Sequence, residues 1–221
     1  MNDNDTNGPK TAPRSPPWNK DKLVGPKPLL KVSHVLSIRT KMNLDGRTRD
    51  LALFSLAVDC KPRGCDLVAL GVADIGSKTR LRHDAPHGRT VDRATVKQKK
   101  TGRPVRFENT EQNREAVDAY LCRFGRSAGQ YLFPGRRGPG EHLTTRQYAR
   151  LVGEWVASIG LDPRAFGTHS MRRTKATLIY RRTGNLRVVQ LLLGHTKIES
   201  TVRYLGIEVD DALEIAEKTD L

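Results

Sequence analysis

The sequence predicts a predominantly helical α+β domain with one small antiparallel β-hairpin. Apolar residues recur at helical spacing through most of the chain after residue 28, whereas Val105 and Phe107 recur with a period of two after the turn-like sequence QKKTGRP. Clusters of glycine and proline separate these segments and mark the turns. A chain of 221 residues is long enough to form one sizeable domain with a real hydrophobic core.

The first 28 residues contain six of the twelve prolines and almost no apolar periodicity. This composition predicts a disordered, proline-rich arm over residues 1–28, with the folded domain beginning near Leu29. From residue 31 to residue 70, apolar residues recur at helical spacing and are interrupted by the turn-like sequence Leu44-Asp45-Gly46. Two or three helices are therefore expected in this segment.

The next segment has the pattern of a β-hairpin. Thr95 and Val96 lead into the sequence QKKTGRP, after which Val105 and Phe107 alternate with polar residues. Because glycine permits tight turns, we expect the two strands to be joined at or near Lys100-Thr101-Gly102.

Two further helices are predicted after the hairpin. Residues 111–124 and residues 145–159 both have the spacing of amphipathic helices. The sequence FPGRRGPGEH lies between them, and its glycine and proline content predicts a loop without regular structure.

Three helices are expected in the last third of the chain. The first begins with Thr168 as its N-cap and extends to about Arg182. The second covers residues 185–194 and ends at a glycine, the residue that most easily adopts a left-handed C-terminal conformation. Thr196 and Glu199 then have the spacing of a capping box, which predicts the start of the third helix.

The charge balance favours a polyanionic partner. The chain has 39 Lys and Arg residues against 24 Asp and Glu residues, which gives a net charge of +15 at pH 7. Nucleic acid is the first candidate for such a partner, and a membrane surface is the second. No apolar run approaches the roughly 20 residues that span a bilayer, and the N-terminus lacks the pattern of a signal peptide. We therefore expect a soluble, cytoplasmic protein.

The sequence predicts no metal site and no cofactor. His83, Asp84 and His87 resemble a metal cluster, but Pro86 interrupts any helical face and no further ligand group is near. The three cysteines form no C-x-x-C pair, and their odd number does not suggest a disulfide framework.

Four residues near the C-terminus carry a specific motif. His169 and Arg172 are three residues apart, His195 ends the sequence Leu-Gly-His, and Tyr204 follows nine residues later. This order resembles the hallmark of the tyrosine recombinases, also called phage-integrase-type site-specific recombinases. The resemblance covers about residues 30–221. It implies the catalytic domain of that family.

Two earlier elements extend the resemblance. The sequence KPRGCDLVALGVADI supplies the family's arginine as Arg63, followed by an acid, Asp66, and an apolar run. The family's hairpin lysine corresponds by position to Lys100, with Lys99 and Lys97 as alternatives. Any one element alone would be weak, but several elements in the same order and spacing make the resemblance specific.

The resemblance implies a metal-free transesterification of DNA. Tyr204 would attack the phosphorus and form a covalent 3′-phosphotyrosyl link, while Arg63 and Arg172 would hold the non-bridging oxygens. Lys100 would protonate the leaving 5′-oxygen. His169 would accept a proton or orient the nucleophile, and His195 would donate a hydrogen bond to a phosphoryl oxygen.

Further basic residues are expected to contact the DNA backbone and to influence affinity and its salt dependence. These residues are Lys97, Lys99, Arg103, Arg173, Arg181 and Arg182. The resemblance also implies a homo-oligomer on double-stranded DNA, in the form of a tetrameric synapse, with an accessory recombination protein as a further partner.

The two ends of the chain depart from the main domain. Residues 207–221 contain six acids and one lysine with a helical apolar stripe, which predicts an acidic helix. In recombinases of this type such a tail often docks on a neighbouring protomer, and packing within the same chain is the alternative. Because only 62 residues precede Arg63, we expect no separate N-terminal core-binding domain of the kind that family members usually carry.

Three functional hypotheses follow. The first is a minimal integrase encoded by a mobile element and acting on the bacterial nucleoid. The second is a non-catalytic DNA-binding regulator of recombination. The third is a nicking-closing enzyme of the type IB topoisomerase kind.

Overall fold

The computed structural model of the protein describes residues 27–76, 90–136 and 138–207. Almost all of the predicted arm and of the predicted acidic C-terminal helix lies outside the described residues, and so do His83, Asp84 and His87. Among the described helices, none is long and apolar enough to cross a bilayer.

The described chain is mainly helical, as predicted, with nine helices and four short strands in the part that the structure describes. The helices are α1 (Val32–Leu44), α2 (Thr48–Asp59), α3 (Gly64–Val68), α4 (Val72–Ile75), α5 (Glu111–Phe124), α6 (Thr145–Ala157), α7 (Thr168–Thr183), α8 (Leu186–Leu193) and α9 (Ile198–Leu205). The strands are β1 (Arg93–Lys97), β2 (Pro104–Glu108), β3 (Pro134–Gly135) and β4 (Gly138–His142).

The predicted hairpin is confirmed. Strands β1 and β2 pair antiparallel with Val96 opposite Val105 and Lys97 opposite Pro104. Gly102 adopts a φ of +66° in the connection, a conformation that glycine takes without steric cost. The turn therefore lies at the residues expected from the sequence.

Two apolar clusters stabilise the fold. The larger cluster is built from α1 to α6, the hairpin and the start of α7, and it includes the fully buried side chains of Phe54 and Trp155. Their rings pack edge to face with centroids 5.6 Å apart. The smaller cluster joins α7, α8 and α9 through the buried residues Ala176, Val189, Leu193 and Leu205.

Three local predictions were wrong. The sequence FPGRRGPGEH is not wholly irregular, because β3 and β4 pair within it. A Cβ at Gly135 would lie 2.9 Å from the His142 carbonyl oxygen, so the glycine is what allows this close pairing. Helix α7 has Gly167 as its N-cap, one residue before the predicted Thr168. Helix α9 begins after Lys197 without a side-chain cap, so Thr196 does not form a capping box.

Candidate active site

One cavity of about 620 Å³ brings together all six residues that the sequence predicts to be catalytic. They come from five separate parts of the fold: the N-cap of α3, the hairpin turn, the first two turns of α7, the turn after α8, and α9. The six are Arg63, Lys100, His169, Arg172, His195 and Tyr204.

The two arginines are held by backbone and side-chain acceptors. Arg172 on α7 is 4% exposed, and its Nη2 donates to the Leu193 carbonyl at 2.6 Å. Its Nε and Nη1 are buried and have no hydrogen-bond partner within the described chain. Arg63 lies beside α3 and donates through Nη1 to the side-chain oxygen of Gln98. A buried guanidinium with unpartnered donors at a cavity suits an anion with several acceptor oxygens.

The Tyr204 ring lies among cations and imidazoles. The Cζ atoms of Arg172 and Arg173 are each 5.9 Å from its centroid. Its hydroxyl is buried and has no hydrogen-bond partner among the described residues. Burial raises the pKa of Tyr204 to about 12, although the positive charges of Arg172, Arg173 and Arg63 act in the opposite direction. The phenol is therefore neutral near pH 7 in the unliganded site.

The two histidines flank the same ring. The His195 ring centroid lies 5.3 Å from that of Tyr204, and the His169 centroid lies 6.5 Å from it. Burial, followed by the charges of Arg172 and Arg63, lowers the pKa of His195 to about 4. Burial and the neighbouring Arg172 and Arg173 also lower the pKa of His169. Both imidazoles are thus neutral near pH 7, and each can act as a hydrogen-bond donor and acceptor.

The turn after α8 positions His195. Gly194 adopts a φ of +65° there, and a Cβ at this position would overlap the side chain of Val105 and lie 2.9 Å from Gln98 Nε2. The glycine therefore brings the turn directly against the hairpin. His195 Nδ1 is 3.1 Å from Thr201 Oγ1, a contact that joins this turn to α9.

The structure separates the three candidate lysines. Lys100 lines the cavity. The Nζ atom of Lys99 lies 3.2 Å from His142 Nε2, and its backbone N–H donates to Asp66 at 2.8 Å. Lys97 is an exposed residue at the end of β1. The geometry thus favours Lys100 over its two alternatives.

Gln98 is a contributor to the site that the sequence did not reveal. This side chain is 5% exposed. Its oxygen accepts hydrogen bonds from Arg63 and, at 2.8 Å, from Thr101. Its Nε2 is 3.5 Å from the Leu193 carbonyl, which also accepts from Arg172. A single glutamine at the end of a strand gives no sequence signal for this position, because its partners are 35 and 95 residues away.

One predicted DNA contact is contradicted by the structure. Arg173 is 7% exposed, and it donates to the carbonyl oxygens of Lys27 and Leu205 at 2.8 and 3.3 Å. It therefore does not lie on a solvated face. Its neighbour Arg172 faces the cavity, and two consecutive helical residues point in different directions. The other residues predicted to contact the DNA backbone are exposed, namely Lys97, Lys99, Arg103, Arg181 and Arg182.

Two other tyrosines and a bound metal ion are the alternatives to chemistry at Tyr204. Tyr148 also lines the cavity, and burial raises its pKa as it does that of Tyr204. Tyr180 is half-buried against the smaller cluster. Within the described ranges, no three His, Cys, Asp or Glu side chains are grouped so that they could hold a metal ion.

The sequence matches a family model and several curated proteins. The sequence model of the phage integrase family matches residues 30–209. Tyrosine recombinase XerC of Brucella melitensis is 38% identical over 107 residues, which is 48% of this chain and 33% of that protein. The chain thus spans about a third of the length of the first curated relatives that it matches.

Solved structures support the same fold. The crystal structure of the XerA recombinase superposes with a TM-score of 0.66 at 20% identity, over 89% of this chain and 67% of that one. The XerH site-specific recombinase bound to its difH substrate, in a pre-cleavage complex, gives a TM-score of 0.63 at 19% identity, over 88% of this chain and 55% of that one.

Proposed function

Because the chain belongs to the phage integrase family, we propose that it is a site-specific DNA recombinase that breaks and rejoins double-stranded DNA through Tyr204. The observation that carries this proposal is the position of the Tyr204 hydroxyl. It is buried and unpartnered beside a guanidinium that also has unpartnered nitrogens, in a cavity with two neutral histidines. A phosphodiester would supply the acceptor oxygens that these donors lack.

The two arginines would bind the scissile phosphate first. Arg63 and Arg172 are permanently charged and can each present two parallel N–H donors to the non-bridging oxygens. The hydrogen bond from Arg172 to the Leu193 carbonyl fixes the guanidinium before the substrate arrives. Fixed donors of this kind stabilise the charge that develops on the transferring phosphoryl group.

Tyr204 would then attack phosphorus. Its oxygen forms the new P–O bond as the P–O5′ bond breaks, so the DNA becomes linked to the protein through a 3′-phosphotyrosine. The phenolic proton must leave in this step, because the pKa of Tyr204 is about 12. The neutral imidazole of His169 is the proposed acceptor, and neutral His195 is the proposed hydrogen-bond donor to a phosphoryl oxygen.

Lys100 would complete cleavage by giving a proton to the departing 5′-oxygen. It lies on the hairpin turn and lines the same cavity as Tyr204, which supports this role. Ligation is the reverse reaction. A 5′-hydroxyl attacks the phosphotyrosine and the tyrosine is released, so the bond energy is retained and no nucleotide is consumed.

Double-stranded DNA is the proposed partner. The net charge of +15 and the exposed residues Lys97, Lys99, Arg103, Arg181 and Arg182 support backbone binding. The XerH recombinase of similar fold is bound to its difH substrate. A homo-oligomeric synapse on DNA, an accessory recombination protein and action at the bacterial nucleoid belong to the same proposal and are supported by family membership alone.

A covalent-adduct assay tests this function. The purified wild-type protein and Tyr204→Phe would be incubated with supercoiled plasmid, and with nicked suicide duplexes covering the DNA around the gene, in buffer containing EDTA. We expect a protein–DNA adduct on denaturing gels with wild type and none with Tyr204→Phe. Specific DNA retardation without an adduct would support the regulator instead, and site-independent relaxation of the plasmid would support the nicking-closing enzyme.

A further inference from the structure

Residues 27–30, which we call the N-terminal strap, are attached to α7 and to the loop before it. Lys27 Nζ donates to the carbonyl oxygens of Arg164 and Phe166, both at 2.9 Å. The Leu30 backbone N–H donates to Thr174 Oγ1 at 3.2 Å, and the Leu30 side chain is buried. The strap is therefore held at both of its ends.

Arg173 connects the strap to the helix that carries Tyr204. Its Nη1 donates to the Lys27 carbonyl at 2.8 Å, and its Nη2 lies 3.3 Å from the Leu205 carbonyl. The Cζ atom is 5.9 Å from the Tyr204 ring centroid. Arg173 does not line the cavity, whereas Arg172 does. The two adjacent arginines therefore make different contacts. Arg172 lines the cavity, whereas Arg173 binds the carbonyl of the residue that follows Tyr204.

The end of α9 needs such a contact for a physical reason. The helix has eight residues and ends at Leu205, followed by Gly206 in the left-handed conformation with a φ of +70°. The last carbonyls of a helix lack intrahelical partners, and a cation at this end is favourable. A helix this short has little stability of its own, so its position depends on tertiary contacts. Arg173 supplies one of these contacts one residue after Tyr204.

We propose that Arg173 is a positioning residue for the nucleophile, and that it sets the position of Tyr204 by joining the last turn of α9 to the N-terminal strap. The inference rests on the proposed function. Through the contacts of Arg173, the chain at residue 27 controls the rate at which Tyr204 attacks, although it is far from the cavity residues in sequence. The charge of Arg173 alone is insufficient for this role, because the two carbonyls require the planar fork of a guanidinium.

The test separates nucleophile positioning from leaving-group chemistry. Adduct formation would be measured in single-turnover reactions at saturating DNA, with an ordinary suicide duplex and with one whose scissile 5′-oxygen is replaced by sulfur. A thiol has a pKa of about 8.5, so a thiolate leaves without a proton donor. Lys100→Ala should therefore recover most of its rate on the sulfur substrate.

Arg173→Met should slow adduct formation by about 10- to 100-fold on both substrates, since its defect lies in the attack and not in the departure. Arg173→Lys should recover little, because a single ammonium cannot hold both carbonyls. The matched control is Arg123→Met, which removes a guanidinium that binds the Gly46 carbonyl at 2.9 Å on another part of the fold. The control should react at the wild-type rate.

Lys27→Met provides an independent variant, because its side chain is exposed and its removal leaves the core intact. It should slow the reaction by about 3- to 10-fold on both substrates. Combined with Arg173→Met it should add little, because both changes interrupt the same connection between the strap and α9. This variant decides the question if Arg173→Met does not fold.

Three results would overturn the inference. They are a wild-type rate in both Arg173→Met and Lys27→Met, recovery of either variant on the sulfur substrate, and a defect that disappears at saturating DNA, as for a simple backbone contact. Absence of an adduct with the wild-type protein would contradict the proposed function itself, so the two failures can be told apart.

Discussion

The two apolar clusters of the molecule differ greatly in size, and the candidate site lies where they meet. The larger cluster contains aromatic rings and long aliphatic side chains from α1 to α6, and it supports Arg63 and the hairpin of Lys100. The smaller one consists of four buried residues from α7, α8 and α9, and it supports the segments of His195 and Tyr204. The side of the site that carries Arg63 and Lys100 is thus held by packing far more than the side that carries the proposed nucleophile, Tyr204.

Polar contacts compensate for the small cluster. Helix α9 is held by the hydrogen bonds from Arg173 to Leu205 and between Thr201 and His195. Helix α7 belongs to both clusters, since Met171 packs in the larger one and Ala176 in the smaller one. Arg63 therefore lies beside the heavily packed part of the fold, whereas Tyr204 lies on a helix with few buried apolar contacts. Elements with few buried apolar contacts are also those that move most easily.

The largest effect is expected where the two regions join. Arg172→Lys keeps a positive charge but loses the fork that binds the Leu193 carbonyl and presents two further nitrogens to the cavity. We expect cleavage of a suicide duplex to fall by about 10²- to 10³-fold, the range for removal of a fixed donor in a transition state. Single-turnover adduct formation measures this. A rate within twofold of wild type would mean that Arg172 has no contact with the phosphate.

Truncation of one buried side chain in each cluster compares how much the two clusters stabilise the fold. Phe54→Ala in the larger cluster should lower the free energy of unfolding by about 3–5 kcal/mol, and Val189→Ala in the smaller one by about 1.5–2.5 kcal/mol. Urea unfolding gives both values. Among molecules that remain folded, Val189→Ala should slow adduct formation more than Phe54→Ala does. The reverse order would show that the nucleophile helix does not depend on the small cluster.

A smaller effect is expected at Gln98, which contacts Arg63 beside the larger cluster and the Leu193 carbonyl in the smaller one. Gln98→Leu has a similar shape but cannot accept from Arg63 and Thr101 or approach the Leu193 carbonyl. We expect cleavage to slow by about 10- to 30-fold, because Gln98 contacts both Arg63 and the Leu193 carbonyl that binds Arg172. The control is Gln112→Leu, which removes an acceptor of Arg39 on the surface. Equal effects of the two changes would exclude a specific role for Gln98.

The smallest effect concerns His195, beside the smaller cluster, and the pH dependence of the free energy of unfolding. The pKa of His195 is lowered to about 4 in the folded protein, against about 6.5 in an unfolded chain. The unfolded state therefore binds more protons between these values, and the protein loses stability as pH falls from about 6.5 to 4. After screening by solvent, this loss should be on the order of 1 kcal/mol larger in wild type than in His195→Asn. Urea unfolding at pH 7 and pH 5 measures the difference, and parallel losses would contradict the low pKa.

Sequence reasoning reached much of the fold because periodicity and turn residues report local structure. The bounds of α5 and the place of the hairpin turn were predicted from apolar spacing and from Gly102, and both are confirmed. The short strands β3 and β4 were not, because their pairing depends on a close approach at Gly135 that no propensity describes.

The residues of the candidate site divide in the same way, into those that the sequence identifies and those that only the structure reveals. The motif residues were found because their spacing is specific, whereas Gln98 and Arg173 depend on contacts between distant segments. Arg173 was assigned to a DNA-binding face because arginines beside a basic motif are usually solvated, and its true partners are carbonyls 146 and 32 residues away. A helix position gives the direction of a side chain only when the elements around the helix are known.

Identification of the tyrosine that becomes linked to DNA tests the role of Tyr204 directly. Tyr148 and Tyr204 both line the cavity, and trypsin separates them, since cleavage after Arg146 and Arg150 releases residues 147–150 and cleavage after Arg203 and Lys218 releases residues 204–218. The adduct formed on a suicide duplex would be digested with nuclease and trypsin and analysed by mass spectrometry. We expect a nucleotide on Tyr204 in the peptide of residues 204–218. A nucleotide on Tyr148, or on any other tyrosine, would contradict this role of Tyr204.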